Sequence, residues 1–136
     1  MEKVNLEVVT PAKVLLRLEV DMVVLPGTEG EFGVLPGHVP FLSGLVPGEL
    51  RYTAGSERGH VALSSGFAEV FQNRVSVLVD AAEKAGEIDL ERARGALARA
   101  KERLSQDRSS KEVDFPRAEG AVMRAMARIK VAEKVH

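Results

Sequence analysis

A chain of 136 residues has room for one ordinary domain, or for a small domain with an appendage. Its 45% hydrophobic and 29% charged residues exclude a disordered chain, and a net charge of −1 excludes a uniformly basic nucleic-acid binder. With no cysteine, no tryptophan and 4% aromatics, the chain has no means to build a disulfide framework, a thiolate metal site, a catalytic thiol or a base-stacking platform for single strands.

The opening residues, Met1-Glu2-Lys3-Val4-Asn5-Leu6-Glu7, are too charged to serve as an apolar signal core. Val4, Leu6 and Val8 alternate as a short strand. Val14, Leu16, Leu18, Val20, Met22 and Val24 are apolar at every second position, with Arg17, Glu19 and Asp21 between them. That period predicts one half-buried strand. The segment from Gly30 to Pro40 is dense in glycine and proline and reads as a compact loop displaying Glu31 and His38. The stretch from Phe32 to Gly48 lacks Asp, Glu, Lys and Arg but contains Pro36, Pro40 and Pro47, so it does not predict a membrane span. The expectation is a cytosolic protein with no direct membrane insertion.

Further short strands follow at Leu50-Tyr52, Val61-Leu63, Ala68-Val70 and Val75-Val77-Val79. Turn signals separate them at Pro26-Gly27, Pro36-Gly37, Pro47-Gly48, Gly55-Ser56 and Gln72-Asn73. No helical run fits between these strands, so parallel crossover units are excluded and an antiparallel sandwich or flattened barrel is predicted.

Beyond Asp80 the period changes. Leu90, Ala93, Leu97, Ala100 and Leu104 step by three and four, as do Phe115, Ala118, Val122, Ala125, Ile129 and Ala132. Two amphipathic helices are predicted, with Asp89 and Asp114 as caps and Pro116 in the opening turn of the second. Gln106 to Val113 is the connecting loop, short enough for an antiparallel hairpin. The seams are rich in alanine, so the helices can approach closely but bury little area, and the hairpin is expected to be held modestly and to open. The organisation is thus a sandwich domain over residues 1–84 and a two-helix domain over residues 85–136. Charge divides at the same place. Residues 1–84 carry seven basic and eleven acidic side chains, net −4, and residues 85–136 carry twelve and nine, net +3.

No catalytic motif stands out. His38, His60 and His136 have no metal-ligand spacing on one helix, and Ser64 and Ser65 with His60 lie in no nucleophile elbow. There is neither a Walker A sequence nor a Gly-x-Gly-x-x-Gly run. The arginines are more specific. Arg92 and Arg99 share one face of the first helix, and Arg124 and Arg128 share one face of the second. In an antiparallel hairpin these four guanidiniums could converge on phosphate oxygens. Glu83 and Asp89 could accept hydrogen bonds from a base or ribose, and Ile88 and Ala93 could touch a base. From spacing alone, solvated helix faces with ordinary ion pairs, such as Glu102 with a nearby arginine, are the better explanation.

Three segments carry a family resemblance. They are Leu6-Glu7-Val8-Val9-Thr10-Pro11, then Gly30-Glu31-Phe32-Gly33-Val34-Leu35-Pro36-Gly37-His38-Val39-Pro40, then Ser64-Ser65-Gly66-Phe67-Ala68-Glu69-Val70. Together with the helical hairpin that follows, they resemble the epsilon subunits of bacterial F-type ATP synthases over essentially the whole length, with Ser65 in place of a family glycine. The resemblance implies a ten-stranded sandwich and two helices. It implies a non-catalytic central-stalk subunit between the gamma subunit and the rotor ring of c subunits, peripheral on the cytoplasmic face of the inner membrane. Glu31 and His38 resemble the edge that meets ring and gamma. The family's hairpin also extends along gamma toward acidic segments of the beta subunits and inhibits ATP hydrolysis.

Ile88-Asp89-Leu90-Glu91-Arg92-Ala93 matches the family's I-D-x-x-R-A motif for ATP, and Glu83 precedes it at the family's spacing. Arg99, Arg124 and Arg128 resemble the remaining phosphate-contacting arginines, with an interhelix loop two residues longer here. The resemblance therefore implies ATP as a regulatory ligand of the folded hairpin. It leaves any Mg²⁺ requirement open.

Overall fold

The computed structural model describes residues 2–106 and 113–135. Most of the expected interhelix loop, residues 107–112, and His136 lie outside the described residues. Ten strands precede two helices: β1 (Val4–Val9), β2 (Val14–Val20), β3 (Met22–Gly27), β4 (Gly30–Val34), β5 (Phe41–Leu45), β6 (Gly48–Ala54), β7 (Glu57–Leu63), β8 (Gly66–Phe71), β9 (Arg74–Val79) and β10 (Ala82–Lys84), then α1 (Leu90–Leu104) and α2 (Phe115–Ala132).

The strands form one continuous ladder in the order β10-β7-β6-β3-β5-β8-β9-β1-β2, with β4 paired to β3. A single residue pair, Gly27 with Leu45, joins β3 to β5, and there the sheet folds over on itself. Both halves turn their alternate side chains inward. Val4, Leu6, Val8, Val70, Val75 and Val77 from one half meet Val23, Leu25, Leu50, Val61 and Leu63 from the other in a single core. Each fully buried leucine of that core contributes about 2 kcal/mol by transfer from water.

The all-β sandwich with a helical hairpin is the architecture observed. Two details differ from the sequence reading. First, β1 pairs with β9 in parallel, Leu6 opposite Val75 and Val8 opposite Val77. No crossover helix is needed, because seven intervening strands make the connection as the sheet closes. Second, the alternation from Val14 to Val24 is two strands, not one. At Asp21 the inward set changes phase: Val20 is buried, then Val23 and Leu25, while Met22 and Val24 are only half-buried. Asp21 explains the break. Its amide donates to the Thr53 carbonyl, and its carboxylate accepts from Lys3 and from the Gly55 amide. Those bonds hold the carboxyl below the ordinary carboxylate range, Lys3 contributing most.

Two of the turn signals also move. Pro26-Gly27 ends β3 and Gly48 opens β6, so the chain reverses at Thr28-Glu29 and around Val46-Pro47 instead. Proline is tolerated in β3 because its carbonyl, not an amide, serves the neighbour: Val46 donates to Pro26 at 3.0 Å. Gln72-Asn73 is a turn, with both residues left-handed at φ 49° and 60°. Two such residues match the twist of a tight hairpin.

The helices follow their sequence signals. Asp89 accepts the Arg92 amide at 3.0 Å and Asp114 accepts the Arg117 amide at 3.1 Å, each a capping bond. Ala93 and Ala100 of α1 and Ala118 and Ala125 of α2 are buried along the predicted seam. The seam reading missed a second buried strip on α2. Ala127 and Val131 are buried off the seam, and Val131 packs beside the seam residue Ala132 against Ala62 of β7, Ala85 and Ile88. So α2 has two contacts, α1 on one side and the outer face of β6 and β7 on the other.

Candidate functional site

The expected ligand residues gather unevenly. Glu83 on β10 and Arg128 on α2 form an ion pair, with Nε 2.6 Å from Oε1. The Arg128 Nε–H is buried but is not aimed at that oxygen, and the hydrogen bond proper runs from Nη2 to Oε2 at 3.5 Å. Arg128 therefore keeps a misdirected donor. Arg124 lies one turn earlier and lines the same small pocket, with Ala62, Ser64, Ala82, Glu83 and Arg128. The fold brings Glu83 and Arg128 into contact, while Arg124 adds to the pocket wall with its guanidinium lying back alongside Gly120.

The α1 members are placed differently. Arg92 and Arg99 are exposed, and the Arg99 guanidinium lies alongside Gly95. Among the described residues neither has an ion-pair partner, and the ion pair on α1 is Arg94 with Glu91 at 2.9 Å rather than one made by Glu102. Asp89 is occupied as the helix cap, and Ile88 and Ala93 are buried, at 3% and 0% exposure, within the packing of the hairpin. A ligand across these residues would meet arginines from both helices and backbone near Asp89, not the Ile88 and Ala93 side chains as they now pack.

The Ser64/His60 set does not form. Ser64 Oγ accepts the Ala81 amide at 2.8 Å, and His60 Nδ1 lies 3.0 Å from Glu49. Among the described residues no cluster of His, Asp and Glu could hold a metal ion, and no helix is long and apolar enough to cross a membrane.

The second candidate is the edge carrying Glu31 and His38. It is half strand, not a loop throughout, since Gly30–Val34 is β4 and Glu31 pairs with Pro26 of β3. Glu31 is clasped by Arg51 of β6, Nη1 to Oε2 at 2.7 Å and Nη2 to Oε1 at 3.2 Å. That bond holds the Glu31 carboxyl below its usual range. His38 follows the Pro36-Gly37 turn, where Gly37 is left-handed and its amide donates to Asn73 at 2.7 Å. The imidazole lies edge-on to Phe41 with ring centroids 6.0 Å apart. Leu35 and Val39, beside His38 in the chain, and Phe41 expose large apolar side chains, as do Leu42, Phe67 and Leu78 on the outer side of β5, β8 and β9. His38 thus stands among exposed apolar side chains that solvent alone does not explain.

One group escaped the sequence reading. Glu49 of β6 is nearly fully buried, yet it sits against His60, Arg51 and Lys130 of α2. The signal was available: Glu49 and Arg51 lie two apart on one strand, on the face opposite the core residues Leu50 and Tyr52.

The fold defines a two-part module, a ten-stranded sandwich that carries a basic two-helix hairpin on its outer face. Comparison with known proteins gives the class its family. The family model for the ATP synthase delta/epsilon chain beta-sandwich domain matches residues 3–85, and that for the delta/epsilon chain long alpha-helix domain matches residues 87–133. The chain is 53% identical over 133 residues to the ATP synthase epsilon chain of Syntrophobacter fumaroxidans, covering 98% of each. It is 52% identical over 105 residues to that of Carboxydothermus hydrogenoformans, covering 77% of this chain and 78% of that one. The chain belongs to the ATP synthase epsilon family. Among solved structures, a chain of the Euglena gracilis mitochondrial ATP synthase OSCP/F1/c-ring assembly superposes with TM-score 0.82 at 25% identity, over 96% of this chain and 81% of that one. A chain of the Tetrahymena thermophila mitochondrial ATP synthase central stalk/c-ring shares the fold, with TM-score 0.59 at 16% identity over 98% of this chain and 96% of that one.

Proposed function

We propose that this epsilon-family chain is a non-catalytic central-stalk subunit of a proton-translocating F-type ATP synthase. It couples the catalytic head to the membrane rotor and regulates ATP hydrolysis through a hairpin that binds ATP when folded. It works peripherally on the cytoplasmic face of the bacterial inner membrane. The Euglena relative's assembly of F1 and c-ring supports this place in the complex. The exposed apolar side chains of Leu35, Val39 and Phe41 near His38 support contacts with gamma and the ring of c subunits.

The observation carrying the ATP reading is the pocket lined by Glu83, Arg124 and Arg128, with the Arg128 Nε–H buried and misdirected. Bound ATP supplies phosphate oxygens as acceptors and an amino group and ribose hydroxyls as donors. Arg128 and Arg124 would clasp the phosphates from α2, Arg99 and Arg92 from α1, and Glu83 would accept from a donor once Arg128 turns away. Every arginine of this set requires the folded hairpin for the others to be near. Binding therefore favours the folded form over the extended one that reaches the beta subunits. Mg²⁺ has no ligand set among the described residues, so its part is to be read from titrations with and without it.

Calorimetric titration with ATP tests the site. A saturable heat is expected, and Arg99→Ala and Arg124→Ala should each weaken binding by about tenfold or more, the loss of one charge-assisted hydrogen bond. No heat at millimolar ATP, or unchanged affinity in both variants, would leave a purely structural coupling subunit with no nucleotide site. The inhibitory role has its own measurement. Deleting residues 88–136 should raise the ATPase activity of the assembled complex severalfold, and an unchanged rate would remove regulation from the proposal.

A further inference from the structure

Register across three strands puts Glu83, Ala62 and Glu49 in one row, since both carboxylate residues pair with Ala62 of the strand between them. Helix α2 lies over this row. The small Ala62 lets Val131 and Ala132 approach, and each flanking carboxylate takes a cation from the helix. Arg128 reaches Glu83, and Lys130 Nζ lies 3.9 Å from Glu49 Oε1. The Glu49 side chain is only 2% exposed, so its charge is poorly screened. It is also served from the sandwich, by His60 Nδ1 at 3.0 Å and Arg51 Nη1 at 3.8 Å. Arg51 is shared. The same Nη1 lies 2.7 Å from Glu31 Oε2. Lys130 contributes at this end too: its positive charge is among the causes that lower the Glu31 carboxyl, after the Arg51 bond.

We infer that the cluster of Glu31, Arg51, Glu49 and Lys130 couples docking of the hairpin to engagement of the Glu31 edge by a hydrogen-bond-donating or basic segment of a partner. The inference rests on the proposed reading that the hairpin leaves the sandwich. With the hairpin docked, two carboxylates share Arg51, His60 and Lys130. A donor arriving at Glu31 releases Arg51 toward Glu49, and Lys130 then adds less to docking. Reciprocally, lifting α2 withdraws Lys130 from both carboxylates and leaves Glu31 a better acceptor for that donor. The two effects are equal by linkage. The ring- or gamma-facing edge and the mobile hairpin thus have a physical connection through four side chains, without a backbone change between them.

Amide exchange of α2 in the isolated full-length chain, without nucleotide, tests the coupling, with β8 as internal reference. Lys130→Gln should speed α2 exchange about threefold with β8 unchanged, the size of a half-screened ion pair. Lys130→Arg should keep the parent rate. Glu31→Gln, which mimics an engaged edge, should speed α2 about twofold in the parent and have no effect in the Lys130→Gln background. A parent-like rate in Lys130→Gln, or the same Glu31→Gln effect in both backgrounds, overturns the inference. Failure of the mobile-hairpin reading looks different. There α2 and β8 exchange at one rate in the parent, and the coupling is then read from the common rate of the parent, Lys130→Gln, Glu31→Gln and the double variant.

Discussion

Gly66→Ala should destabilise the sandwich by about 3 kcal/mol or more, at the upper end of what an overpacked core site costs. Gly66 opens β8 and is paired on both sides, with Leu45 of β5 and Val79 of β9. A Cβ there would sit 2.0 Å from the Leu78 carbonyl oxygen and 2.8 Å from Val79 Cα and Cγ1. Two of those atoms are backbone and the third belongs to a core side chain, so none can swing aside and the strand must move. The cost is steric, since Gly66 is not in the left-handed region. Gly86→Ala is the matched control: its Cβ would meet nothing within 4 Å, and its midpoint should stay within about 0.5 kcal/mol of the parent. Urea unfolding followed by the β-sheet circular dichroism signal reads both. A Gly66→Ala midpoint equal to the parent's would mean that β8 is not clamped between β5 and β9.

Gly66 also shows where sequence patterning stops. Alternation located Ala68 and Val70 of β8 correctly, because one residue in two must face a shared core. It could not tell that Gly66 needs no side chain, because the close approach comes from Leu78 and Val79, distant in sequence and adjacent only in the closed sheet. The split at Asp21 escaped for a related reason. The apolar residues on either side keep period two in the sequence, and the phase changes where the Asp21 carboxylate binds Lys3, just before β1, and Gly55, in the turn between β6 and β7. The helices were more legible, since caps and seams are local: Asp89, Asp114 and the buried alanines are where their spacing puts them. Val131 and Ala127 were missed because a second partner, the outer face of β6 and β7, makes a second stripe on α2 that a single-seam reading discards. The candidate site divides in the same way. Arg124 and Arg128 are on one face by spacing alone, but the meeting of Arg128 with Glu83, and that of Lys130 with Glu49, depends on which face of the sandwich the hairpin covers.

Ala62→Leu should undock the hairpin without unfolding the sandwich. Ala62 lies on the outer face of β7, 4% exposed, against Val131, Ala132, Ala85 and Ile88. Three added carbons have no room there, and the sandwich core on the other face of β7 is not touched. If the strain is about 2 kcal/mol and falls on the α2 contact, the open fraction and α2 amide exchange should rise about thirtyfold. β8 exchange should stay at the parent rate, and a rise common to α2 and β8 would show that hairpin and sandwich open together. The effect on ATP has two sources, because Ala62 also lines the pocket of Glu83, Arg124 and Arg128. Apparent affinity falls in proportion to the folded fraction and further by the room the added carbons take from that pocket, whereas α2 exchange reads docking alone. Arg99→Ala gives the opposite pattern, because Arg99 is exposed and takes no part in docking: affinity falls and α2 exchange is unchanged. Measured together, the two variants separate the site from the equilibrium that presents it. The rise of α2 exchange in Ala62→Leu then measures how far docking of the hairpin has weakened, the equilibrium on which a switch between folded and extended forms depends.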